Sequence, residues 1–324
     1  MIALFVLGAA LFAYLVAGIG VGRLAADAAA TGWMIVPIVL LFGVVHACST
    51  QAWRLTLQDD PGRPAFWRAY AMLVAGTALN YVTPLVNAGG EPYRVAALAA
   101  WVGTRRAAGS VLLHRMLHAL ATLLVWLTAL LLAFVLLPRD RTTAVLLAVA
   151  ATVLLSLLAL LVLAHRHGLL GRVLDLMPRI PLLDRLARVI EPRRAVIAAL
   201  DQQITDFYHR ERRRFLAAIG CEYLARAIYM VELVLIAASI GVRLGYPLAF
   251  AIGGLELLLG NVLFFIPFEL GAREGAFYLL FDRFGFDPQL GVYVAIVSRV
   301  RDLTWIAGGL FLMWAARRRA PASA

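Results

Sequence analysis

Six apolar stretches, each long enough to cross a membrane as a helix, dominate this sequence of 324 residues. A helix rises about 1.5 Å per residue, so about 20 apolar residues span a hydrocarbon core of about 30 Å. Hydrophobic residues make up 63% of the sequence, whereas about 45–50% are apolar in a soluble domain. These features exclude a water-soluble domain and predict an all-α, multi-pass membrane protein with transmembrane helices at 2–20, 33–53, 109–137, 142–164, 215–240 and 288–315.

Two further regions, 69–103 and 247–285, do not fit a single crossing. Each contains an apolar arm, a turn rich in Gly, Pro and charge, and a second arm of about a dozen residues, which as a helix spans only about 18 Å. Because this length is shorter than the hydrocarbon core, the second arm cannot cross alone. We therefore expect each region to be a re-entrant helical hairpin, which enters and leaves on the same side of the membrane.

The arginines support this topology. All 30 basic residues are Arg, and the net charge is +11. With two re-entrant hairpins, 19 arginines fall on the side of the two termini and five fall on the opposite side. Because basic residues concentrate in cytoplasmic segments, we expect a multi-pass protein of the inner cell membrane with cytoplasmic N- and C-termini.

The segment 165–214 is the longest polar part of the sequence, with 11 arginines interleaved with Leu, Ile and Val. We expect amphipathic helices that lie on the cytoplasmic leaflet, where Arg favours anionic headgroups. A basic segment also suits nucleic acid, but Phe207 and Tyr208 are its only aromatic residues. Because few rings are present for base stacking, we expect no nucleic-acid partner.

The two hairpin regions are related in sequence. Four positions recur at an offset of 183 or 184 residues, namely Pro84 and Pro267, Glu91 and Glu274, Arg115 and Arg299, and His118 and Asp302. Each half of the chain has three predicted crossings, an odd number, so the second half enters the membrane with the opposite orientation. The sequence therefore predicts one membrane domain, 1–324, built from inverted repeats 1–138 and 139–324, an architecture of transporters.

Thirteen ionisable side chains are predicted at membrane depth: Arg94, Arg115, Arg226, Arg273, Arg299, Arg301, Glu91, Glu222, Glu232, Glu256, Glu269, Glu274 and Asp302. A single Arg or Asp at the centre of a bilayer costs about 2.5–3.5 kcal/mol, so these groups must pair, face water or bind a ligand. Structural pairing and ligand binding both fit the pattern at this stage.

The first hairpin has the features of an anion site. Gly89 and Gly90 permit a turn at membrane depth, and Pro92 suits the first turn of a new helix. A helix that begins near Glu91 offers free N–H groups, and Arg94 adds a guanidinium one turn later. Both are suited to binding a phosphate.

The sequence indicates no metal and no cofactor. His114 and His118 have the spacing of a metal site, but Arg115 occupies the position between them where a zinc protease has Glu. We expect neutral histidines that are hydrogen-bonded in the core. The two cysteines, Cys48 and Cys221, form no ligand cluster in the sequence, and no nucleotide-binding glycine pattern or nucleophile elbow occurs.

These motifs resemble a known family. The chain is similar, over nearly its whole length, to the flippase-like transmembrane region of lysylphosphatidylglycerol synthases and their stand-alone relatives. The resemblance is carried by Asn80, Thr83-Pro84, Gly89-Gly90-Glu91-Pro92-Tyr93-Arg94, Arg115, Pro267, Gly271 and Arg273-Glu274. It implies movement of a lipid from the inner to the outer leaflet, while a separate soluble domain of the bifunctional members aminoacylates lipid from charged tRNA.

The sequence departs from the family pattern in two places. The family commonly has Glu-Arg-x-x-Asp on the first long helix, where this sequence has His114-Arg115-Met116-Leu117-His118. The usual Pro-Gly run of the second hairpin is Pro267-Phe268-Glu269 here, which adds a carboxylate. The sequence ends at Ala324, directly after the last predicted helix, so we expect a lipid translocase without a synthase activity.

The leading hypothesis is therefore a flippase that moves a lipid with an anionic headgroup through a central polar cavity, by rocking one inverted half against the other. The predicted headgroup-binding residues are Asn80, Gly89, Gly90, Glu91, Arg94, Arg115, Arg273, Glu274 and Arg299. Accessory roles are predicted for His114, His118, Asn261, Glu269 and Asp302. The expected partners are membrane lipids, and the sequence leaves open whether the chain forms a homo-oligomer.

Two alternatives belong to other functional classes. An intramembrane transferase acting on a lipid-linked phosphate or sugar would use Glu91 or His114 as general base. A non-transporting scaffold would instead recruit partners through the segment 165–214.

Overall fold

The computed structural model describes residues 22, 26, 29–57, 60–82, 89–137, 141–167, 202, 205–263 and 271–319. The predicted first transmembrane helix at 2–20, both hairpin turns at 83–88 and 264–270, and most of the predicted amphipathic segment 165–214 lie outside these residues. Every regular element in the described part of the chain is helical, and no strand occurs there. The predicted all-α class is therefore confirmed for these residues.

The helices are named here in chain order. They are α1 (Ile35–Leu55), α2 (Phe66–Val82), α3 (Gly90–Val102), α4 (Thr104–Leu136), α5 (Arg141–His167), α6 (Arg212–Ser239), α7 (Tyr246–Val262), α8 (Ala272–Arg283) and α9 (Pro288–Arg319). A 3-10 turn, Gly32–Met34, leads into α1.

Three helical segments among the described residues are long and apolar enough to cross a membrane: Ala29–Leu55, Thr104–Leu136 and Arg141–Leu163. Helices α6 and α9, with 28 and 32 residues, are also long enough. Both carry buried ionic side chains in their interiors, which include Glu222 and Glu232 on α6 and Arg301 on α9. The chain is thus a multi-pass helical protein in which two of the long helices bring charge into the interior.

The two predicted hairpin regions each form two short helices. Helices α2 and α3 have 17 and 13 residues, and α7 and α8 have 17 and 12. The two arms pack against each other in both regions, and the second arm then packs along the long helix that follows it, α3 on α4 and α8 on α9. At about 1.5 Å per residue, neither second arm reaches across a hydrocarbon core of about 30 Å.

Helix packing follows the same plan in both halves. If α1, α2, α3 and α4 are exchanged with α6, α7, α8 and α9, the packed pair α2–α9 becomes α7–α4, and α1–α9 becomes α6–α4. Four further contacts are preserved in the same way: α1–α2 becomes α6–α7, α2–α3 becomes α7–α8, α3–α4 becomes α8–α9, and α1–α4 becomes α6–α9. Helices α1 and α6, which replace each other in this exchange, also pack together.

The first hairpin is held together by an unusually close approach of α2 and α3. A Cβ atom built on Gly90 would lie 2.0 Å from the carbonyl oxygen of Gly76, a distance no real side chain has. Only glycine therefore fits at the start of α3. On the other side, α4 is tied to α1 by the buried indole of Trp53, whose Nε1 donates to Oγ of Ser110 over 3.1 Å. These contacts fix α3 on α2 and α4 on α1.

Candidate functional site

The start of α3 is organised by Asn80 of α2. The Oδ1 atom of Asn80 accepts a hydrogen bond from the backbone N–H of Gly90 at 2.6 Å, and its Nδ2 donates to Oε1 of Glu91 at 3.4 Å. The same carboxylate oxygen lies 3.3 Å from Nε of Arg115 on α4. Gly89 occupies the position just before the helix. Four of the predicted site residues therefore meet in one hydrogen-bonded group beside Gly89.

The ion pair of this group is open on one side. The side chain of Glu91 is 22% exposed and that of Arg115 is 48% exposed. The second carboxylate oxygen of Glu91, Oε2, is buried and has no hydrogen-bond donor among the described residues. The pair therefore leaves one face of the Arg115 guanidinium available and one carboxylate oxygen unsatisfied.

Arg94, one turn into α3, is buried without a carboxylate. Its Nη2 donates to Oγ1 of Thr77 at 2.9 Å and to the carbonyl of Leu73 at 3.3 Å. Its Nε is buried and has no acceptor, and Arg94 forms no ion pair within the part of the chain that is described. A Cβ atom on Gly76 would lie 2.6 Å from this Nε. Gly76 therefore provides the space for the Arg94 guanidinium.

The second hairpin contains the equivalent ion pair, and there the carboxylate is fully buried. Gly271 has a φ of 75°, which favours glycine, and its N–H donates to Oε2 of Glu274 at 2.9 Å. The other oxygen of Glu274, Oε1, accepts from Nε of Arg299 at 2.5 Å. Glu274 has no exposed side-chain surface, in contrast to Glu91. The predicted correspondence of Glu91–Arg115 and Glu274–Arg299 thus appears as two ion pairs of the same kind.

A chain of five buried ions lies next to this second pair. Nη1 of Arg273 contacts Oδ2 of Asp302 at 2.7 Å, and its Nε lies 3.6 Å from Oε1 of Glu256. Nε of Arg301 lies 3.2 Å from Oδ1 of Asp302, and its Nη1 lies 3.0 Å from Oε2 of Glu232. Each arginine is therefore placed between two carboxylates, so its charge is neutralised within the protein.

Aromatic rings enclose this chain of ions. The guanidinium carbon of Arg301 lies 4.1 Å from the ring centroid of Phe42 on α1 and 5.2 Å from that of Tyr229 on α6. Such cation–π contacts stabilise a desolvated guanidinium. Because it is paired and enclosed, this group fits the structural interpretation of the buried charges better than the ligand-binding one.

The two histidines of α4 form a third group with α6. Nε2 of His114 lies 3.0 Å from Oε1 of Glu222, and Nδ1 of His118 lies 2.9 Å from Oε2 of the same carboxylate. Nη1 of Arg226 also donates to Oε2, at 2.9 Å. Both ring nitrogens that face Glu222 are thus engaged with one carboxylate, and no group of three or more metal-ligating side chains with the geometry of a metal site occurs among the described residues.

A small cavity lies between the first hairpin and the chain of ions. It has a volume of about 10 Å³ and is lined by residues of α1, α2 and α9, which include His46, Thr77, Tyr81, Asp302 and Trp305. A volume of this size holds about one water molecule. Thr77 binds Arg94 and Asp302 binds Arg273, so the cavity borders both arginine groups.

Asn261 lies apart from the ionic groups of the site. Asn261 is not an equivalent of Asn80, because it is exposed and its Nδ2 donates to the carbonyl of Leu257 in its own helix. Glu269 lies outside the described residues. Thr77 and Glu222 were not among the predicted site residues; the signal for Glu222 was a carboxylate at membrane depth, whereas nothing in the sequence distinguishes Thr77 from other helix threonines.

A comparison with protein families gives one match. A family model described as Lysylphosphatidylglycerol synthase TM region matches residues 1–309. The chain belongs to this family. The matched residues include both hairpins, their Glu–Arg ion pairs, the chain of five buried ions and the histidine group at Glu222. The resemblance predicted from the Pro, Gly, Glu and Arg motifs is therefore confirmed. No match was found among curated proteins or among solved structures.

Proposed function

We propose that this member of the Lysylphosphatidylglycerol synthase TM region family is a lipid translocase, which binds an anionic headgroup at the first hairpin. The observation that carries the proposal is the excess of positive charge there. The first hairpin group contains two arginines, Arg94 and Arg115, and one carboxylate, Glu91, which gives these three residues a formal charge of +1. A phosphate that binds these two guanidinium groups would neutralise the excess.

Arg94 is the side chain of this group with the least compensation for its charge. A guanidinium at membrane depth costs about 2.5–3.5 kcal/mol or more unless it is compensated. Thr77 and Leu73 provide only neutral acceptors. Hydrogen bonds between a guanidinium and a phosphate are charge-assisted and roughly twice as strong as neutral ones. An anionic ligand is therefore the partner that best compensates this side chain.

The second hairpin has a different role in this proposal. Three arginines and four carboxylates of the described residues, namely Arg273, Arg299, Arg301, Glu232, Glu256, Glu274 and Asp302, leave a formal charge of −1. This surplus repels an anion. We assign these residues to holding the second half together, and we limit the headgroup site to Asn80, Gly90, Glu91, Arg94 and Arg115.

Two observations support an inverted repeat of residues 1–138 and 139–324 with re-entrant hairpins. The motif positions recur at an offset of 183 or 184 residues, and the packed helix pairs are preserved when the halves are exchanged. In transporters, such repeats expose a site near the midplane alternately to the two sides. The distribution of arginines supports cytoplasmic termini and insertion in the inner cell membrane.

The proposal is tested by leaflet exchange in reconstituted liposomes. A fluorescent phosphatidylglycerol is followed by its accessibility to a membrane-impermeant quencher, and the variants are Arg94→Gln, Arg115→Ala and Glu91→Gln. We expect Arg94→Gln and Arg115→Ala to lower the exchange rate at least about tenfold, as expected when about 1.4 kcal/mol of binding is lost. The matched control is Arg141→Gln, an exposed arginine at the start of α5.

Unchanged exchange in all three variants, with folded protein, would contradict the site. Absence of exchange by the natural protein would contradict the translocase itself. Appearance of a covalently altered lipid in the same vesicles would instead support the transferase alternative.

A further inference from the structure

One face of α4 joins the headgroup site to the end of the helix. Residues 105, 108, 112 and 115 recur every three or four positions and fall within an arc of about 80° on a helix of 3.6 residues per turn. Arg105 and Arg115 are exposed, and Ala108 and Leu112 are partly exposed, whereas the opposite face of α4 is buried. This face, defined by Arg105, Ala108, Leu112 and Arg115, is called the α4 track below.

The two ends of the track differ in depth. Arg115 is ten residues from Arg105, which corresponds to about 15 Å along the helix axis, or half of a hydrocarbon core of about 30 Å. Helix α3 runs antiparallel to α4, and Glu91 lies at the level of Arg115. Glu91 is ten residues from Trp101, so α3 gives the same distance of about 15 Å between the ion pair and the end of the helix. If Arg105 and Trp101 lie at the membrane surface, the Glu91–Arg115 pair therefore lies near the midplane.

The residues around Trp101, near the Arg105 end of the track, are of the types that occur at a membrane surface. The guanidinium of Arg68, in the first turn of α2, lies 4.7 Å from the ring centroid of Trp101, and both residues are exposed. Tryptophan and arginine concentrate at the level of the lipid headgroups. Trp67 beside them is 74% exposed. The start of the α4 track is thus at headgroup level, next to a basic and aromatic surface.

Arg105 differs from its neighbour Arg106. Nε of Arg106 lies 2.6 Å from Oδ2 of Asp60, so its charge is compensated. Arg105 is exposed and forms no ion pair with any residue that the structure describes. Among the described residues, the track therefore has a cation without an ion pair at headgroup level and a partly exposed cation near the midplane. Of the four residues that define the track, only an alanine and a leucine lie between them.

We propose that the α4 track guides a phospholipid with an anionic headgroup from the leaflet beside Arg68, Trp101 and Arg105 to the site at Arg94 and Arg115. The lipid's acyl chains stay in the hydrocarbon while its headgroup moves along α4. The proposal rests on the proposed translocase function and adds the loading side and the route. By the distribution of arginines, the loading side is the cytoplasmic leaflet.

The test blocks the track without changing the headgroup site. Cys48 and Cys221 are first replaced by alanine, and Ala108→Cys is introduced into this background. The folded protein is reconstituted and then modified with a bulky thiol reagent, so a folding defect of a large side chain does not enter the result. The matched control is Ala148→Cys, an exposed alanine on α5 away from the track.

We expect modification at position 108 to lower exchange of fluorescent phosphatidylglycerol at least about tenfold, whereas modification at position 148 leaves it within about twofold. Arg105→Gln should raise the lipid concentration for half-maximal exchange about fivefold without changing the maximal rate, since an arginine near the surface contributes about this factor in anionic lipid binding. Arg106→Gln, whose parent side chain is paired with Asp60, should have a smaller effect.

The two proposals fail differently in this experiment. If Arg94→Gln and Arg115→Ala abolish exchange but modification at position 108 and Arg105→Gln have no effect, the track is wrong and the headgroup site stands. If none of these changes affects exchange, or no exchange occurs, the translocase function itself is wrong. Efficient crosslinking of the Ala108→Cys variant to a second copy would assign this face to an interface between chains and would also overturn the track.

Discussion

The two hairpins have the same helix packing, but their charged side chains are paired differently. In the first, Glu91 and Arg115 are partly exposed and Arg94 binds only neutral acceptors. In the second, Glu274 is fully buried and Arg273 lies between two carboxylates. A repeated motif therefore does not imply repeated charge pairing. Carboxylates neutralise Arg273 in the second copy but do not bind Arg94 in the first, and for this reason we propose a ligand site only in the first hairpin.

The largest expected difference between the hairpins concerns stability. Asp302→Ala breaks two buried ion pairs, because Asp302 contacts both Arg273 and Arg301, and breaking a buried pair costs about 3–5 kcal/mol. Glu91→Ala removes a partly exposed partner and should cost only about 1 kcal/mol or less. Unfolding free energies in mixed micelles measure both. Equal losses would contradict the distinction between a structural and a ligand-binding hairpin.

The next largest effect is expected when the space around Arg94 is reduced. Gly76→Ala places a Cβ atom 2.6 Å from Nε of Arg94, so either the guanidinium or α3 must shift, at a cost of about 1–3 kcal/mol. We expect weaker binding of anionic lipid in this variant, measured by lipid titration in detergent. Gly220→Ala on α6 is the control, since nothing lies within 4 Å of its added Cβ and the change should stabilise the helix by about 0.5–1 kcal/mol.

A double-mutant cycle compares the two equivalent ion pairs directly. The coupling of Glu274 and Arg299, measured from unfolding free energies of single and double alanine variants, should fall in the upper part of the range of about 0.5–3 kcal/mol found for contacting residues. The coupling of Glu91 and Arg115 should lie within about 0.2–1 kcal/mol, as for exposed pairs. A larger coupling for the first pair would reverse the assignment of roles.

The smallest effects are expected when Asn80 or Asn261 is replaced. Asn80→Ala removes the acceptor of the Gly90 N–H and the donor to Glu91, at a cost of about 1 kcal/mol, and should also slow lipid exchange. Asn261→Ala removes a bond within one exposed helical turn and should change stability by no more than about 0.5 kcal/mol. Similar losses in both variants would show that Asn80 has no special role at the site.

The sequence predicted the long helices and the two-arm regions because apolar length and Gly-Pro turns are local properties. It also predicted which positions correspond, since Glu91 and Glu274 each pair with the arginine at the expected offset. It did not predict that the charged groups of the two hairpins are paired differently. That difference depends on Glu232 and Glu256, which reach the second group from α6 and α7, and no local pattern indicates which carboxylate approaches which arginine across the bundle.

The close packing of α2 on α9 and of α7 on α4 constrains how the protein changes shape. Each hairpin has its first arm against the last helix of the opposite half, so the halves are interlocked and separating them as two solid blocks would disrupt both crossings. Since Gly76 and Gly90 touch backbone to backbone, α2 and α3 shift together and take Glu91 with them. Any movement that keeps these contacts therefore leaves the first hairpin joined to α9, a helix of the opposite half.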